Sequence, residues 1–355
     1  MNPLIIPIFL PNLGCRERCL FCNQKATAKE VPSPSSVRNY IEASLIRLPS
    51  DEEIPEKQVA FYGGSFTAIP QEDQVRYLKE VQPFLDSGLI HSIRISTRPD
   101  ALDEAILSLL KANGVKTVEI GVQTMIDEIL FLSKRGHRAE DIVSATSRLK
   151  AWGFEVGMHL MVGLPGDTCD CFLQTLDKVI ALRPDFVRIH PTLVLEGSPL
   201  EVLWRAGKYS PLSLDETLQW LKKGLLKLER SNIQVARIGL QPTRELERHL
   251  LAGPYHPALH QLIDSEIALD MAKHLLQLYP EVNHPLFLCH PKEVSNLRGQ
   301  RNGNILRLKD QFHLEEILIQ TREDILKGSL ILQNAKRNIV IHRRDLYYES
   351  IQNSH

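Results

Sequence analysis

The sequence predicts an α/β fold: a partial (β/α)6, TIM-like barrel with a smaller C-terminal α+β appendage. Two observations predict it. Short apolar or β-branched runs alternate with helical patterns over the first two thirds of the chain, which is typical of a parallel sheet with right-handed crossovers. In addition, the motifs that could carry chemistry follow the ends of these runs. Parallel barrels carry their functional side chains at the carboxyl ends of the strands.

The predicted strands are runs of β-branched and apolar residues, at 4–10, 58–62, 92–96, 117–122, 155–162 and 185–192. The predicted helices lie between them, near 35–48, 72–86, 103–113, 139–152 and 168–182. In the fourth helix, Ile142, Ala145 and Leu149 recur at helical spacing.

The pattern changes after about residue 210. Helical patterns cover 213–231 and 257–278, with a strand-like run at 233–242 between them, and the tail contains the runs PLFLCH, SLILQN and NIVIHRR. We therefore expect a barrel domain over 1–210, a helical and strand extension over 211–282, and a small α+β region over 283–355.

Composition and charge are those of an ordinary globular enzyme. The 355 residues include 42 Lys and Arg against 43 Asp and Glu, so contact with nucleic acid would need a local basic patch. The N-terminal apolar run lacks a basic region and is broken by prolines, and no apolar stretch approaches a membrane span. Cys169, Cys171 and Cys289 are scattered, which argues against a disulfide framework. We expect a cytoplasmic protein.

Half of the six cysteines lie in one short loop after the first predicted strand, in the sequence CRERCLFC. Cys15, Cys19 and Cys22 could bind zinc, bind an iron–sulfur cluster, form a disulfide, or have no joint role. A structural zinc site normally needs four protein ligands, and no fourth Cys or His is nearby. Three thiolates suit three corners of a cubane cluster, which ordinarily takes four.

A fourth iron without a protein ligand could be chelated by an amino and a carboxylate group, as S-adenosylmethionine presents them. One electron from the reduced cluster would then cleave the sulfonium to a 5′-deoxyadenosyl radical. Phe21, just before the last cysteine, would shield the cluster and offer its backbone to adenine.

The spacing in CRERCLFC resembles the signature of the radical S-adenosylmethionine (radical SAM) superfamily, and AFYGGSFTAIP resembles that family's Gly-Gly motif. The resemblance implies a 4Fe-4S cluster on the three cysteines. It also implies that Gly63 and Gly64 bind the amino group of the cofactor through their backbone, where glycine permits a close approach.

Several further stretches resemble one branch of the superfamily, the catalytic subunit of Elongator and its bacterial and archaeal relatives. They are STRPD, VEIGVQT, KRGHRAEDI, GFEVGMHLMVGLPGDT and HPTLVLEGSPLEVLWRAGKY, in that order. This resemblance implies action on the wobble uridine of tRNA and an electron donor such as flavodoxin or ferredoxin. We find no pyrophosphate-binding motif of the branch's acetyltransferase domain, since QRNGNI has Ile305 where a small residue is required. We therefore expect no such domain.

Polar residues at the strand ends are the remaining candidates for cofactor binding. Thr97 ends the third strand, where its hydroxyl would face a ribose or a carboxylate. Glu119 and Gln123 are four residues apart, so strand alternation predicts that both face the barrel interior. Glu119 could bind the cofactor's amino or sulfonium group, or pair with an arginine of the barrel.

Two further pairs of residues have two interpretations each. Arg135 and His137 could be solvated charges near a helix end or could face an anionic substrate. His159 and Arg188 could line the interior near the radical, although a histidine of this kind is often a satisfied core residue.

Two other functions fit the same motifs. One is a radical SAM reaction on a small molecule, as in the similar coproporphyrinogen oxidases. The other is an iron–sulfur binding protein without catalysis.

Overall fold

The computed structural model describes residues 3–15, 18–23, 31–48, 56–333 and 338–346. Contacts divide the chain into two compact units. The first contains Met1–Leu212, Ile233–Ala236 and Leu240–Pro254, and the second contains Ser213–Asn232, Arg237–Gly239 and Tyr255–His355. The division of the second unit at residue 282 stays a prediction.

The first unit is built on a seven-stranded sheet in which sequence order is spatial order. Its strands are β1 (Leu4–Phe9), β2 (Lys57–Tyr62), β3 (Ser92–Thr97), β4 (Val115–Gln123), β5 (Glu155–Val162), β6 (Phe186–Pro191) and β8 (Gln234–Ile238). The first six pair parallel with their neighbours. The predicted partial barrel is therefore confirmed.

Helices connect consecutive strands, as parallel pairing requires. They are α1 (Pro34–Ile46), α2 (Gln71–Lys79), α3 (Gln82–Asp86), α4 (Glu104–Ala112), α5 (Asp127–Leu132), α6 (Ala139–Ala151) and α7 (Cys169–Leu182). The single helix expected near 72–86 is instead two helices. Pro83 lies in the first turn of the second, where its missing N–H costs no hydrogen bond.

The two faces of the sheet differ in chemistry because side chains alternate along each strand. One face carries buried aliphatic and aromatic residues, such as Val59, Phe61, Ile93, Ile95 and Val118. The other carries polar residues that pairing brings side by side, including Gln58, Arg94, Glu119, His159 and Arg188. The apolar face holds the helices, and the polar face lines the barrel interior.

The chain completes the first unit after β6. It forms a short pair, β7 (Val194–Leu195) with β9 (Leu250–Ala252), together with α8 (Pro199–Arg205) and α10 (Arg244–His249). Ser198 caps α8 by accepting a hydrogen bond from the backbone N–H of Glu201.

The second unit has its own sheet, in the order β11 (Leu318–Thr321), β10 (Leu286–Cys289), β12 (Ser329–Gln333) and β13 (Asn338–His342). Its helices are α9 (Leu214–Arg230), α11 (Leu259–Leu278), α12 (Val294–Arg298) and α13 (Gly303–Phe312), and α11 packs against the other three. The expected α+β appendage is confirmed.

None of the helices in the described ranges combines the length and the apolar composition that crossing a membrane would require.

We predict that Gly157→Ala destabilises the barrel by about 1–3 kcal/mol, because overpacking forces neighbouring side chains to shift. A Cβ at this position would lie 2.3 Å from Cζ of Phe186 and 3.0 Å from Cγ of Glu119. Urea unfolding of both proteins measures the difference. Gly303→Ala is the control, since no atom lies within 4 Å of its Cβ position. Equal stability of Gly157→Ala and the wild type would contradict this packing.

Candidate active site at the carboxyl ends of the strands

The loop that carries the cysteines is fixed by contact with the chain that follows β2. Ser65 donates a backbone hydrogen bond to the carbonyl of Leu13, at 2.8 Å. A Cβ on Gly64 would lie 2.1 Å from the same carbonyl oxygen, and a Cβ on Gly14 would lie 2.2 Å from the carbonyl oxygen of Ser65. Both positions therefore require glycine, and Gly63 adopts a φ of 98° beside them. The Gly-Gly motif thus has a packing role against the cysteine loop.

The second half of the loop is held on both sides. Leu20 is buried, its backbone N–H donates to the carbonyl of Ser133, and its carbonyl accepts from the N–H of Leu200. The N–H of Cys22 donates to the carbonyl of Cys19 and closes a turn between these two cysteines. Phe21 lies in this turn and is half-buried.

One guanidinium group contacts a thiol, and a second acts on another thiol electrostatically. Nη1 of Arg135 donates to Sγ of Cys19 at 3.1 Å, and its Nη2 donates to the carbonyl of Gly121 at 2.7 Å. Burial raises the pKa of Cys15, and the adjacent Cys19 raises it further, while Arg135 and Arg98 act in the opposite direction. Cys15 and Cys19 therefore interact electrostatically, and the two arginines offset only part of the effect of burial on Cys15.

Across the ranges that the structure describes, no three His, Cys, Asp or Glu side chains are grouped closely enough to hold a single metal ion. A cubane cluster makes a different demand, since each cysteine binds a separate iron and the sulfurs need not meet at one point. Three thiols on one loop, with guanidinium groups to offset thiolate charge, fit such a cluster. The assignment of Cys15, Cys19 and Cys22 as its ligands stays a prediction.

Thr97 belongs to a buried cluster of hydroxyl groups. Its Oγ1 shares hydrogen bonds with Oγ1 of Thr67 at 2.5 Å and with Oγ of Ser65 at 3.1 Å. Oγ of Ser65 also accepts the backbone N–H of Arg98. These hydroxyl groups join the segment after β2 to the end of β3, next to the point where Ser65 bonds to the cysteine loop.

Glu119 lies at the centre of a buried ionic network on the inner face of the sheet. Its side chain has no exposed surface. Oε1 accepts hydrogen bonds from Nη1 of Arg94 at 2.7 Å and from the hydroxyl of Tyr62 at 3.0 Å. Oε2 contacts Nε2 of His159 and lies 3.3 Å from Nε of Arg188.

Electrostatics keep Glu119 ionised. Burial by itself raises the pKa of its carboxyl group, but His159, Arg188 and Arg94 outweigh burial and hold the pKa well below its usual range. Of the two interpretations of Glu119, the structure contains the pairing with barrel arginines. Its binding to a cofactor stays a prediction.

Glu119 and Gln123 both reach the inner face, as expected, but regular strand alternation is not the reason for Gln123. The pairing of β4 with β5 shifts register between Gly121 and Gln123, and Gln123 has a φ of 65°. The side chain of Gln123 nevertheless reaches the inner face. Its Nε2 lies 3.0 Å from the point that a Cβ on Gly121 would occupy, and Nη2 of Arg135 lies 2.9 Å from that point.

His137 is buried, so the interpretation of this residue as a solvated charge is wrong. Burial, followed by Arg135, lowers the pKa of His137 to about 4. Neither of its ring nitrogens has a hydrogen-bond partner in the described part of the chain.

Two members of the Glu119 network, Arg94 and Tyr62, were missed at the level of sequence. Arg94 alternates with Ile93 and Ile95, so the signal was an arginine on one face of an otherwise apolar strand. Tyr62 ends β2 after the apolar run Val59–Phe61, and nothing in its neighbours identifies its partner.

Comparison with known proteins agrees with this geometry. Residues 10–179 match the Radical SAM superfamily, and residues 184–268 match the Radical_SAM C-terminal domain. The chain is 38% identical over 128 residues to the tRNA uridine(34) acetyltransferase of Methanocaldococcus jannaschii, covering 35% of this chain and 24% of that protein. It is 28% identical over 239 residues to the protein of the same name from Dehalococcoides mccartyi, covering 58% and 52%.

A solved structure has the same fold. The Elp3 protein of Methanocaldococcus infernus with an N-terminal deletion superimposes with a TM-score of 0.61 at 24% identity, covering 78% of this chain and 64% of that one. The chain spans about a quarter to a half of the length of the two curated relatives.

We predict that Glu119→Gln destabilises the protein by about 3–5 kcal/mol at pH 7, because it leaves buried cations without their counter-ion. The native pKa lies below the unfolded one, so the carboxylate's contribution is complete above the unfolded pKa of about 4.3 and is lost as pH falls below it. Urea unfolding at pH 7 and at pH values lowered stepwise below 4 checks both points. Glu72→Gln, at an exposed helix position, is the control. A variant as stable as the wild type at pH 7 would contradict the network.

Proposed function

The chain belongs to the radical SAM superfamily, and from this premise we propose that it is an enzyme that uses a 4Fe-4S cluster and S-adenosylmethionine to modify a nucleoside of tRNA. One observation carries the proposal. The loop with Cys15, Cys19 and Cys22 is packed at the carboxyl end of β1, where Nη1 of Arg135 donates a hydrogen bond to Sγ of Cys19.

Such a cluster, when bound with S-adenosylmethionine, supplies the electron that cleaves the sulfonium to a 5′-deoxyadenosyl radical. The protein's own contribution is position and charge. The contacts of Leu13 with Ser65 and of Leu20 with Ser133 and Leu200 hold the cysteine loop in one conformation. Arg135 and Arg98 partly offset the burial that raises the pKa of Cys15.

The cofactor would lie at the barrel mouth, among Phe21, Gly63, Gly64, Thr97 and Gln123. Gly63 and Gly64 offer backbone groups next to the cysteine loop, and Gln123 offers a side-chain amide above Gly121. Thr97 would act through the hydroxyl cluster that it shares with Ser65 and Thr67.

We also keep Glu119 among the residues that would bind the cofactor, through its amino or sulfonium group. Two arginines, His159 and Tyr62 already contact its carboxylate, so it would at the same time shape the interior below the cofactor. The network keeps the inner face polar, which suits a polar ligand.

The two relatives support tRNA as the substrate, since both are named tRNA uridine(34) acetyltransferase. The net charge of -1 gives no general attraction to nucleic acid, so binding would depend on local sites. We also propose flavodoxin or ferredoxin as the electron donor and the cytoplasm as the location. Cysteines that bind a cluster, and further cysteines scattered along the chain, suit a reducing compartment, where thiols are not oxidised to disulfides.

We predict that Cys15→Ser, Cys19→Ser and Cys22→Ser each lose most of the iron that the wild type takes up on anaerobic reconstitution, because serine cannot supply a thiolate. Each variant also forms no 5′-deoxyadenosine. Cys171→Ser, on α7, is the matched control and keeps both properties. Iron and sulfide determination, with chromatography of 5′-deoxyadenosine, provides the measurements. Full iron content in the three loop variants, or a zinc-loaded wild type, would contradict the cluster.

The substrate is tested in cells. We predict that deletion of the gene removes one modified uridine from the tRNA pool, as measured by mass spectrometry of digested nucleosides. A plasmid that carries the wild-type gene restores it, and a plasmid with Cys19→Ser does not. Identical profiles with and without the gene would favour a small-molecule substrate. Absence of 5′-deoxyadenosine from wild-type protein would favour an iron–sulfur protein without catalysis.

A further inference from the structure

The network around Glu119 carries more positive than negative charge. Arg94 and Arg188 both contact the Glu119 carboxylate, and among the described residues Glu119 is the only acidic member of the network. The hydroxyl of Tyr62 stays neutral, because burial and then Glu119 raise its pKa. One carboxylate therefore faces two guanidinium groups, which leaves one positive charge on the inner face before any charge on His159 is counted.

Two members of this network lie side by side. His159 on β5 and Arg188 on β6 are paired residues of adjacent parallel strands, so both side chains leave the sheet on its inner face. Oε2 of Glu119 contacts Nε2 of His159 and lies 3.3 Å from Nε of Arg188. Each side chain is thus held at one nitrogen by the same carboxylate oxygen.

Each of the two side chains also presents a second nitrogen to the interior. Nδ1 of His159 and Nη1 of Arg188 have no hydrogen-bond partner in the described part of the chain. Both atoms reach the accessible surface, whereas Nε of Arg188 is buried. The side chain of His159 is 22% exposed and that of Arg188 is 17% exposed. A ligand in the interior can therefore contact both nitrogens.

The guanidinium group of Arg188 is fixed in place without the use of Nη1. Its Nη2 donates to the hydroxyl of Tyr62 at 3.1 Å, and its Cζ lies 5.4 Å from the centre of the Tyr62 ring. The hydroxyl of Tyr62 in turn donates to Oε1 of Glu119 at 3.0 Å. A side chain held in this way loses little further freedom when a ligand binds, which favours affinity.

The two nitrogens can be reached from the barrel mouth. Met161 and His190 follow His159 and Arg188 by two residues on the same strands, about 7 Å nearer the mouth, and neither is buried. Less than a quarter of each of the two lower side chains is accessible. The opening therefore admits the end of a small molecule, and a polynucleotide strand with neighbours on both sides does not fit.

The chemistry of the two nitrogens differs. A guanidinium group binds carboxylate oxygens through charge-assisted hydrogen bonds, and one excess positive charge matches a monoanion. Glu119 is ionised and can only accept a hydrogen bond, so the hydrogen of a neutral His159 ring lies on Nε2 and Nδ1 is an acceptor. The site thus pairs a donor for a carboxylate with an acceptor for an O–H group. A cationic amino group is disfavoured beside Arg188.

We propose that the barrel interior binds a small hydroxy acid, with its carboxylate at Nη1 of Arg188 and its hydroxyl at Nδ1 of His159. We call this the inner site and define it by these two residues. Glu119 is its positioning residue, since Oε2 orients both side chains. The carboxylate of S-adenosylmethionine is assigned to the cluster iron, so the hydroxy acid is a separate ligand below the cofactor. The inference deepens the proposed function and rests on it for the place of the cofactor.

Three small probes test the inner site. Glycolate carries both groups, acetate lacks the hydroxyl, and glycolamide lacks the charge. Each is titrated into the anaerobically reconstituted enzyme, with and without S-adenosylmethionine, and ¹³C NMR of the labelled carbonyl carbon gives the dissociation constant. The variants are Arg188→Lys, which keeps a cation for Glu119, and His159→Phe, which keeps a ring. Arg76→Gln, at an exposed arginine on α2, is the control.

We expect the wild type to bind glycolate about 10-fold more tightly than glycolamide and a few-fold more tightly than acetate, the effects of a charged and a neutral hydrogen bond. Arg188→Lys should weaken glycolate binding about 10-fold, because an ammonium group in contact with Glu119 has no second nitrogen for the ligand. His159→Phe should bind glycolate and acetate equally. Arg76→Gln should bind as the wild type does, and circular dichroism should show that all variants are folded.

Other results overturn the inference. If the wild type does not prefer glycolate to glycolamide and acetate, no site of this kind exists, and this comparison holds even where a variant fails to fold. Unchanged affinity in Arg188→Lys would show that glycolate binds elsewhere. Displacement of glycolate by S-adenosylmethionine would assign the site to the cofactor's own carboxylate, and displacement by single-stranded RNA would assign it to a phosphodiester.

Failure of the proposed function is distinguishable from failure of the inner site. A protein that binds glycolate as expected but forms no 5′-deoxyadenosine would retain the inner site and lose the radical reaction. A protein that forms 5′-deoxyadenosine and modifies tRNA without any preference for glycolate would retain the proposed function and lose the inner site.

Discussion

The barrel depends on the pairing of one buried carboxylate. Glu119 has no exposed side-chain surface, and a lone charge there would be prohibitively costly. Its partners are Tyr62 on β2, Arg94 on β3, His159 on β5 and Arg188 on β6. Because Glu119 itself lies on β4, the network joins five strands through one group. A sheet with a polar inner face can exist in this form because its charges compensate one another.

The alternation of side chains along each strand gives the two faces of the sheet different roles, and the edge has a third. The apolar face anchors the helices, the ionic network fills the interior, and the loops at the carboxyl edge are free to carry chemistry. At that edge, glycine is required where two segments of the chain approach closely. Gly14 and Gly64 leave room for the backbone contact between the cysteine loop and the segment after β2, and Gly121 leaves room for the side chains of Arg135 and Gln123. Small residues therefore determine where the larger functional groups can lie.

Sequence patterns predicted much of the fold, because strand alternation and helical spacing are local. They identified all six strands from β1 to β6 to within two residues. They did not predict the break at Pro83, the bulge before Gln123 or the partners of Glu119. These depend on residues far apart in sequence, since Arg94 and Arg188 are recognisable as partners only after the strands are paired.

The central claim is that a cluster held by three cysteines leaves one iron open to S-adenosylmethionine. Electron–nuclear double resonance of the reduced, reconstituted protein tests it most directly, with S-adenosylmethionine labelled with ¹⁵N in its amino group. We predict a ¹⁵N coupling to the cluster that disappears when unlabelled cofactor is used. A reduced cluster without that coupling, or a protein that holds zinc and gives no cluster signal, would contradict the claim.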